Sequence, residues 1–317
     1  MNLLYYLVGN SIPFEENVSL ANKSWIKFGG TAAIWISPIS VSQLEEVCRY
    51  LYTNAITFDL VGQTSNIFFH STYSPQVVVS TVKANQYKVE GDLLTCDCGC
   101  NVMKLAKEML ADGFAGFYGL IGLPGTVASA AVNNAGCFQC SISSMLISAE
   151  VLLPDGTIRT FLKEDFQYSH RSSAFKRGEK KGIILSVNLK IEKANDIEEE
   201  YRKAEETTLY RKNKQEGPSR NLGSVFSMMK LRYNKKNRLA AIVSNVIAKL
   251  RIADKNLLFK RTLLCLYGES DLNRYISDKQ INTFVWCDPD AEKKFVRYKE
   301  FMGKVFDNLI IEIEERQ

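Results

Sequence analysis

The spacing of apolar positions changes repeatedly along this chain, and each change predicts an element. Residues 33–36 form a short continuous apolar run and read as a strand. Behind it, Ser42-Gln-Leu-Glu45 has the form of a capping box, and Leu44, Val47, Cys48 and Leu51 follow at helical spacing. Residues 58–61 and 77–80 read as strands on either side of a turn. Residues 87–90 and 93–98, joined at Gly91-Asp92, predict a hairpin. Asn101 is placed to cap a helix over VMKLAKEMLAD, which Gly113 would close in the left-handed conformation. Residues 149–153 and 157–161 predict a second hairpin around Pro154-Asp-Gly156, and residues 183–191 a long strand. Further on, the charged stretch 194–214 reads as an exposed helix. Two more helices are expected at 238–250 and 291–305, with strand-like runs at 262–266 and 282–286 between them. Runs of strands mixed with helices, without regular alternation, predict an α+β protein.

Composition narrows the partners. The chain has 317 residues, 46% of them hydrophobic, enough for a substantial core and more than one domain. Its 40 basic and 35 acidic residues give a formal charge of +5, spread without a basic block. That balance favours a small anionic ligand and argues against nucleic acid. No apolar run approaches a membrane span, and the N-terminal stretch lacks a basic leader and meets Glu15 and Glu16 early. The expectation is a cytoplasmic protein with no membrane partner.

Eight cysteines raise the question of a metal. In LLTCDCGC, strand alternation would send Cys96, Cys98 and Cys100 to one face as small core residues. Cys137 and Cys140 form one close pair, and only His70 and His170 are available to complete a zinc set. No metal site is expected.

The stretch from Leu123 to Gly136 contains almost no bulk and no charge. Two readings fit it. Gly119, Gly122 and Gly125, with Ala128, Ser129 and Ala130, let backbone come close to a phosphate, with Thr126, Asn133 and Asn134 supplying polar groups. Alternatively, the small residues serve a tight crossing of elements. The loop Val61-Gly-Gln-Thr-Ser-Asn66 favours the first, because it is a second open, polar turn between strands. Neither loop has the Gly-Lys-Ser/Thr of a P-loop or the Gly-x-Gly-x-x-Gly of a dinucleotide fold.

Six motifs in order carry a resemblance: Phe28-Gly-Gly30, Gly62-Gln-Thr-Ser-Asn66, Leu123-Pro-Gly-Thr-Val127, Asn134-Ala-Gly136, His170-Arg-Ser-Ser-Ala-Phe-Lys176 and Gly223-Ser-Val-Phe226. From about residue 22 onward the chain resembles the UDP-N-acetylenolpyruvoylglucosamine reductase family. The resemblance implies the FAD-binding fold of the vanillyl-alcohol oxidase (PCMH) type with a third, substrate-binding α+β domain. The implied division is 1–83 and 84–195 for the two FAD-binding subdomains, 196–305 for the substrate domain, and 306–317 for a strand bearing a catalytic glutamate. It also implies FAD and NADPH as cofactors, a UDP-amino-sugar as substrate, and a place in peptidoglycan precursor synthesis.

The implied FAD contacts are Gly62, Thr64, Ser65, Asn66, Pro124, Gly125, Thr126, Asn134, Ala135 and Gly136. In the family's reaction a hydride reaches the terminal carbon of an enolpyruvyl ether, and the neighbouring carbon must be stabilised and protonated. Arg171 matches the family's arginine, and a guanidinium suits a carboxylate or its enolate form. Ser224 matches the serine that gives the proton, which a hydroxyl does only beside a strong base. Glu312 matches the family's closing-strand glutamate, and alternation would put Glu312 and Glu314 on one face, Ile311 and Ile313 on the other. Lys214 falls where related enzymes hold the UDP phosphates.

The sequence also departs from the family. His170 stands where tyrosine is usual, Gln63-Thr64 where a glycine is usual, Ala128-Ser129-Ala130 where Gly-Gly-Ala is usual, and Glu216 where proline is usual. Ser227-Met-Met229 replaces a basic residue and a proline, and the segment 228–277 lacks the family's glycine-rich stretch. These changes keep two alternatives open: a flavin-dependent paralogue acting on another nucleotide sugar, and a non-catalytic binding protein on the same fold.

Overall fold

Val77–Ser80 is buried at every position, as an uninterrupted apolar run in a sheet interior should be. It lies between Thr31–Ile36 and Asp59–Val61, parallel to both, and Phe14–Ser19 closes the other edge antiparallel to Thr31–Ile36. The computed structural model describes residues 2–217, 220–251 and 254–317. It divides into two compact units: residues 1–19, 31–64 and 74–208 form the first, and residues 20–30, 65–73 and 209–317 the second.

The first unit adds a five-stranded antiparallel sheet in the order Ile158–Leu162, Leu146–Leu152, Ile183–Lys190, Leu93–Asp97, Tyr87–Glu90. Both expected hairpins are present in it. One core joins the two sheets and the helix Val41–Thr53, through Ile36, Val79, Leu44, Leu51, Leu152 and Leu185. A second core packs the other side of the five-stranded sheet against Val102–Ala111 and Val127–Asn133, through Leu94, Cys96, Leu105, Val127 and Val187. Asn101 caps the first of these helices, its side chain accepting from Lys104 N at 2.8 Å, and Gly113 follows it at φ +81°.

Several local expectations change. The helix Val41–Thr53 is capped by Ser40, whose hydroxyl accepts from Gln43 N at 3.2 Å, so Ser42 sits inside the first turn. Gln43 Oε1 in turn accepts from Ile39 N at 3.1 Å, one residue before the cap. The thiols of 96–100 do not share a face. The strand ends at Asp97, Cys96 and Cys100 enter the second core, and Cys98 enters the first. A hydrogen bond with Cys100, followed by burial, pushes the Cys96 thiol up, and burial does the same to Cys98. Both stay protonated and behave as small apolar groups.

Among the described residues the second unit holds two small sheets, Phe226–Leu231 with Phe306–Ile311 and Ile67–Phe69 with Glu314–Arg316. Its core is aromatic: Phe68, Phe284, Trp286, Phe295 and Tyr298 pack with ring centroids 4.8–6.1 Å apart. Here the third correction falls. The run 262–266 lies within the helix Lys255–Tyr267, which Asp254 caps and Gly268 ends at φ +74°. A short apolar run cannot separate strand from buried helix, and the caps decide it. Residues 282–286 make only isolated bridges, Val285 with Asn221 and Phe284 with Ile276. Among the described residues no helix is long and apolar enough to cross a membrane.

Candidate active site

In the first unit the candidate residues converge from two turns and one helix. The turn after Asp59–Val61 has no side chain at Gly62 because none fits: a methyl there would lie 2.8 Å from Thr126 Oγ1. Thr64 is buried, holds φ +56°, and donates its hydroxyl to the Gln63 carbonyl at 2.7 Å. A β-branched residue in the left-handed region is strained, and such strain concentrates at functional turns. Gln63 Oε1 accepts the backbone N–H of Gly125 at 2.9 Å, so one turn is clasped to the other.

Thr126 caps Val127–Asn133 in a reciprocal box with Ser129. The amides of Val127 and Ala128 donate to the carbonyls of Cys100 and Cys98. The amides of residues 125–129 are thus all engaged within the protein, and the start of this helix does not present open donors. At its other end, Asn134 takes the left-handed conformation that stops the helix, and its side chain donates to Ser169 O at 2.7 Å. Arg171 Nη1 reaches Asn134 O at 3.5 Å, which brings Asn134 and Arg171 together. Two buried polar atoms beside this loop have no protein partner, Asn133 Oδ1 and Tyr168 OH. Burial pushes the Tyr168 hydroxyl well up, so it is available only as a neutral donor or acceptor.

The small residues of 119–136 therefore serve packing first. A methyl on Gly119 would stand 2.4 Å from Cys137 O, and one on Gly136 2.4 Å from Cys140 O, in the hairpin of Gly136–Cys137 with Cys140–Ser141. Ala135 packs against the second core, and Pro124 is exposed at the turn.

In the second unit, Ser224 and Glu312 are joined through backbone. Glu312 N donates to Val225 O at 2.8 Å, beside Ser224. The expected continuous strand over 309–315 is broken at residues 312–313. Phe306–Ile311 pairs with Phe226–Leu231, whereas Glu314–Arg316 pairs with Ile67–Phe69. The break overturns the expected alternation, since Ile311 is 46% exposed and Ile313 only 5%. Ser65 and Asn66 belong to this unit. The Asn66 side chain donates to Glu312 O at 3.1 Å, and its carbonyl accepts from Glu314 N at 2.8 Å.

Lys214 is exposed in the last turn of Ile197–Lys214. That end is tied to the segment 277–282 by Lys279 Nζ on Lys212 O at 2.8 Å and by Ser277 Oγ on Glu216 Oε2 at 2.6 Å. Glu216, unusual for the family, thus has a structural partner. Asn282 went unassigned in the sequence, yet it grips the residues beside Ser224: its carbonyl accepts Val225 N, and its side chain meets both backbone groups of Phe226. Trp286 is a core aromatic. A hollow of about 510 Å³ in this unit is lined by Lys27, Phe28, Arg220, Asp288 and Glu292 among others, and includes no candidate residue. Among the described residues no group of His, Cys, Asp and Glu is arranged to hold a metal.

Comparison with known proteins gives a family and a fold. Residues 32–162 match the model of an FAD binding domain. The UDP-N-acetylenolpyruvoylglucosamine reductase of Enterococcus faecalis is 32% identical over 217 residues, 68% of this chain and 71% of that protein. The protein of the same name from Caldicellulosiruptor saccharolyticus is 29% identical over 68% of this chain and 69% of its own length. Among solved structures, the UDP-N-acetylenolpyruvylglucosamine reductase of Thermus caldophilus superposes with a TM-score of 0.68 at 20% identity, covering 96% of this chain and all of that one.

Proposed function

The chain belongs to the UDP-N-acetylenolpyruvoylglucosamine reductase family, and we propose that it uses NADPH to reduce UDP-N-acetylenolpyruvoylglucosamine to UDP-N-acetylmuramate for peptidoglycan synthesis in the cytoplasm. As a member it is an FAD-dependent oxidoreductase of the α+β class. The observation that carries the substrate reading is the bond from Glu312 N to Val225 O, which sets the two segments bearing an acid and a hydroxyl side by side.

The residues present fit FAD at the turns. Gly62 lets its turn pack directly on Thr126, and Asn133 Oδ1 is a buried acceptor without a protein partner. Gly62, Thr64, Ser65, Asn66, Pro124, Gly125, Thr126, Asn134, Ala135 and Gly136 would hold it. The amides of residues 125–129 are taken by protein partners, so the helix start would not supply the main contacts. FAD, when bound, would supply the two-electron hydride chemistry that links NADPH to the substrate.

The protein's own groups then manage charge and proton. Arg171 binds the substrate carboxylate and stabilises negative charge as it builds on the adjacent carbon. Ser224 gives its proton to that carbon, and its proton must be restored by the surrounding network. Glu312 serves as an acid or orienting group, and Lys214 binds the UDP phosphates as a flexible point charge.

A second reading keeps the flavin chemistry and changes the sugar. It is favoured by the segment 228–277, where the helices Lys235–Lys249 and Lys255–Tyr267 stand in place of a glycine-rich stretch. One anaerobic titration separates the readings. The purified protein should be yellow, should bleach with NADPH, and should recover its colour with UDP-N-acetylenolpyruvoylglucosamine. Bleaching without recovery supports another substrate. A colourless protein that takes up no FAD would leave the non-catalytic alternative.

A further inference from the structure

The strand ends at Ile311, and Glu312 beyond it keeps a backbone bond from its N–H to Val225 O. Two asparagines hold the segments on either side of that bond. Asn282 grips the Ser224 side: its carbonyl accepts Val225 N at 2.9 Å, its Oδ1 accepts Phe226 N at 3.0 Å, and its Nδ2 donates to Phe226 O at 2.8 Å. Asn66 grips the Glu312 side, with Nδ2 on Glu312 O at 3.1 Å and its carbonyl accepting Glu314 N at 2.8 Å. The bond from Glu312 N to Val225 O joins the two grips. Asparagine suits this task because one short side chain presents both a donor and an acceptor, and can satisfy both groups of a single residue.

We propose that Asn66 and Asn282 are positioning residues for proton transfer, holding the Ser224 and Glu312 segments in register for substrate reduction. The inference rests on the roles proposed for Ser224 and Glu312. The polar groups that these asparagines hold lie at a ladder end and at a strand break, where loss of one partner lets the backbone shift. A displacement of about 1 Å is enough to slow a positioned reaction by roughly 100-fold.

The test uses the full-length flavoprotein and stopped-flow measurement of each half-reaction in N282A, S224A and the double variant S224A/N282A. Expected is a near-wild-type rate of flavin reduction by NADPH in N282A, with flavin reoxidation by the enolpyruvyl substrate slowed about 100-fold. Asn66 is also among the proposed FAD contacts, so N66A is read by hydrogen exchange at Glu312 in the flavin-free protein, which should accelerate. The double variant should be no slower than S224A alone, because Asn282 acts through Ser224. In the flavin-free protein, hydrogen exchange at Val225, Phe226 and Glu312 should accelerate in N282A. If N282A does not fold, N282D carries the comparison, since it keeps the acceptor for Phe226 N–H and loses the donor to Phe226 O. Equal slowing of both half-reactions, or additive losses in the double variant, overturns the inference. A slow S224A beside a normal N282A sinks the inference alone, and a normal S224A sinks the proposed roles and the inference with them.

Discussion

The carboxamide oxygen of Gln63 accepts the backbone N–H of Gly125 at 2.9 Å, binding two turns that lie far apart in sequence. The bond is partly buried, and shortening Gln63 takes away the protein partner of Gly125 N. Gln63→Ala should lower the stability of the flavin-free protein by about 1 kcal/mol, measured as a shift in urea midpoint at unchanged slope. Gln63→Glu keeps an acceptor oxygen and should recover most of the loss.

Thr64 sits at φ +56°, where the family's usual glycine has no steric cost. Alanine at this position keeps the strain and loses the buried methyl and hydroxyl. Thr64→Gly should therefore be more stable than Thr64→Ala by about 1 kcal/mol, the reverse of the usual order. Thermal melting of the two flavin-free variants decides it, and an Ala variant that melts higher would show that the turn relaxes out of the left-handed region.

Ser224→Ala removes a proton donor without touching the grips on its neighbours. Substrate reduction should fall by roughly 100- to 10,000-fold, as for loss of a general acid, while flavin reduction by NADPH holds. Single-turnover absorbance at the flavin band reads both. Equal loss in the two steps would remove Ser224 from the protonation role.

Asp97 gives a pH signature. Burial raises its pKa above the ordinary 3.8, partly offset by the Gln86 N–H that its Oδ2 accepts at 3.0 Å. The folded chain therefore binds this proton more tightly than the unfolded one. Stability contributed by the protonated form is present below pH 3.8 and is lost as pH rises through the raised value. Asp97→Asn should be the more stable protein at neutral pH, and its advantage should vanish on acidification. Urea midpoints of both proteins between about pH 3 and pH 7 test the sign.

What was legible in the sequence was chemistry that acts locally or in fixed order. Asn101 before a helical stretch and Pro154-Asp-Gly156 between apolar runs each carry their own cap or turn, and both elements formed as read. The order of six short motifs led to the family. Features that depend on distant partners were not legible. The run 262–266 has the composition of a strand, and its helix is set by Asp254 and Gly268 outside it. The break at residues 312–313 arises because one side pairs with Phe226–Leu231 and the other with Ile67–Phe69. Asn282 looked unremarkable because its partners, Val225 and Phe226, lie more than 50 positions earlier.

The pairing of Ile67–Phe69 with Glu314–Arg316 also sets a timetable for biosynthesis. Asn66 meets its partner Glu312 only 246 residues later. At roughly 5–20 residues per second, Phe68 and Phe69 leave the ribosome about 12–50 s before the strand that covers their edge exists. Both side chains are fully buried in the finished protein. The nascent chain thus carries this aromatic strand without its covering partner for that whole interval.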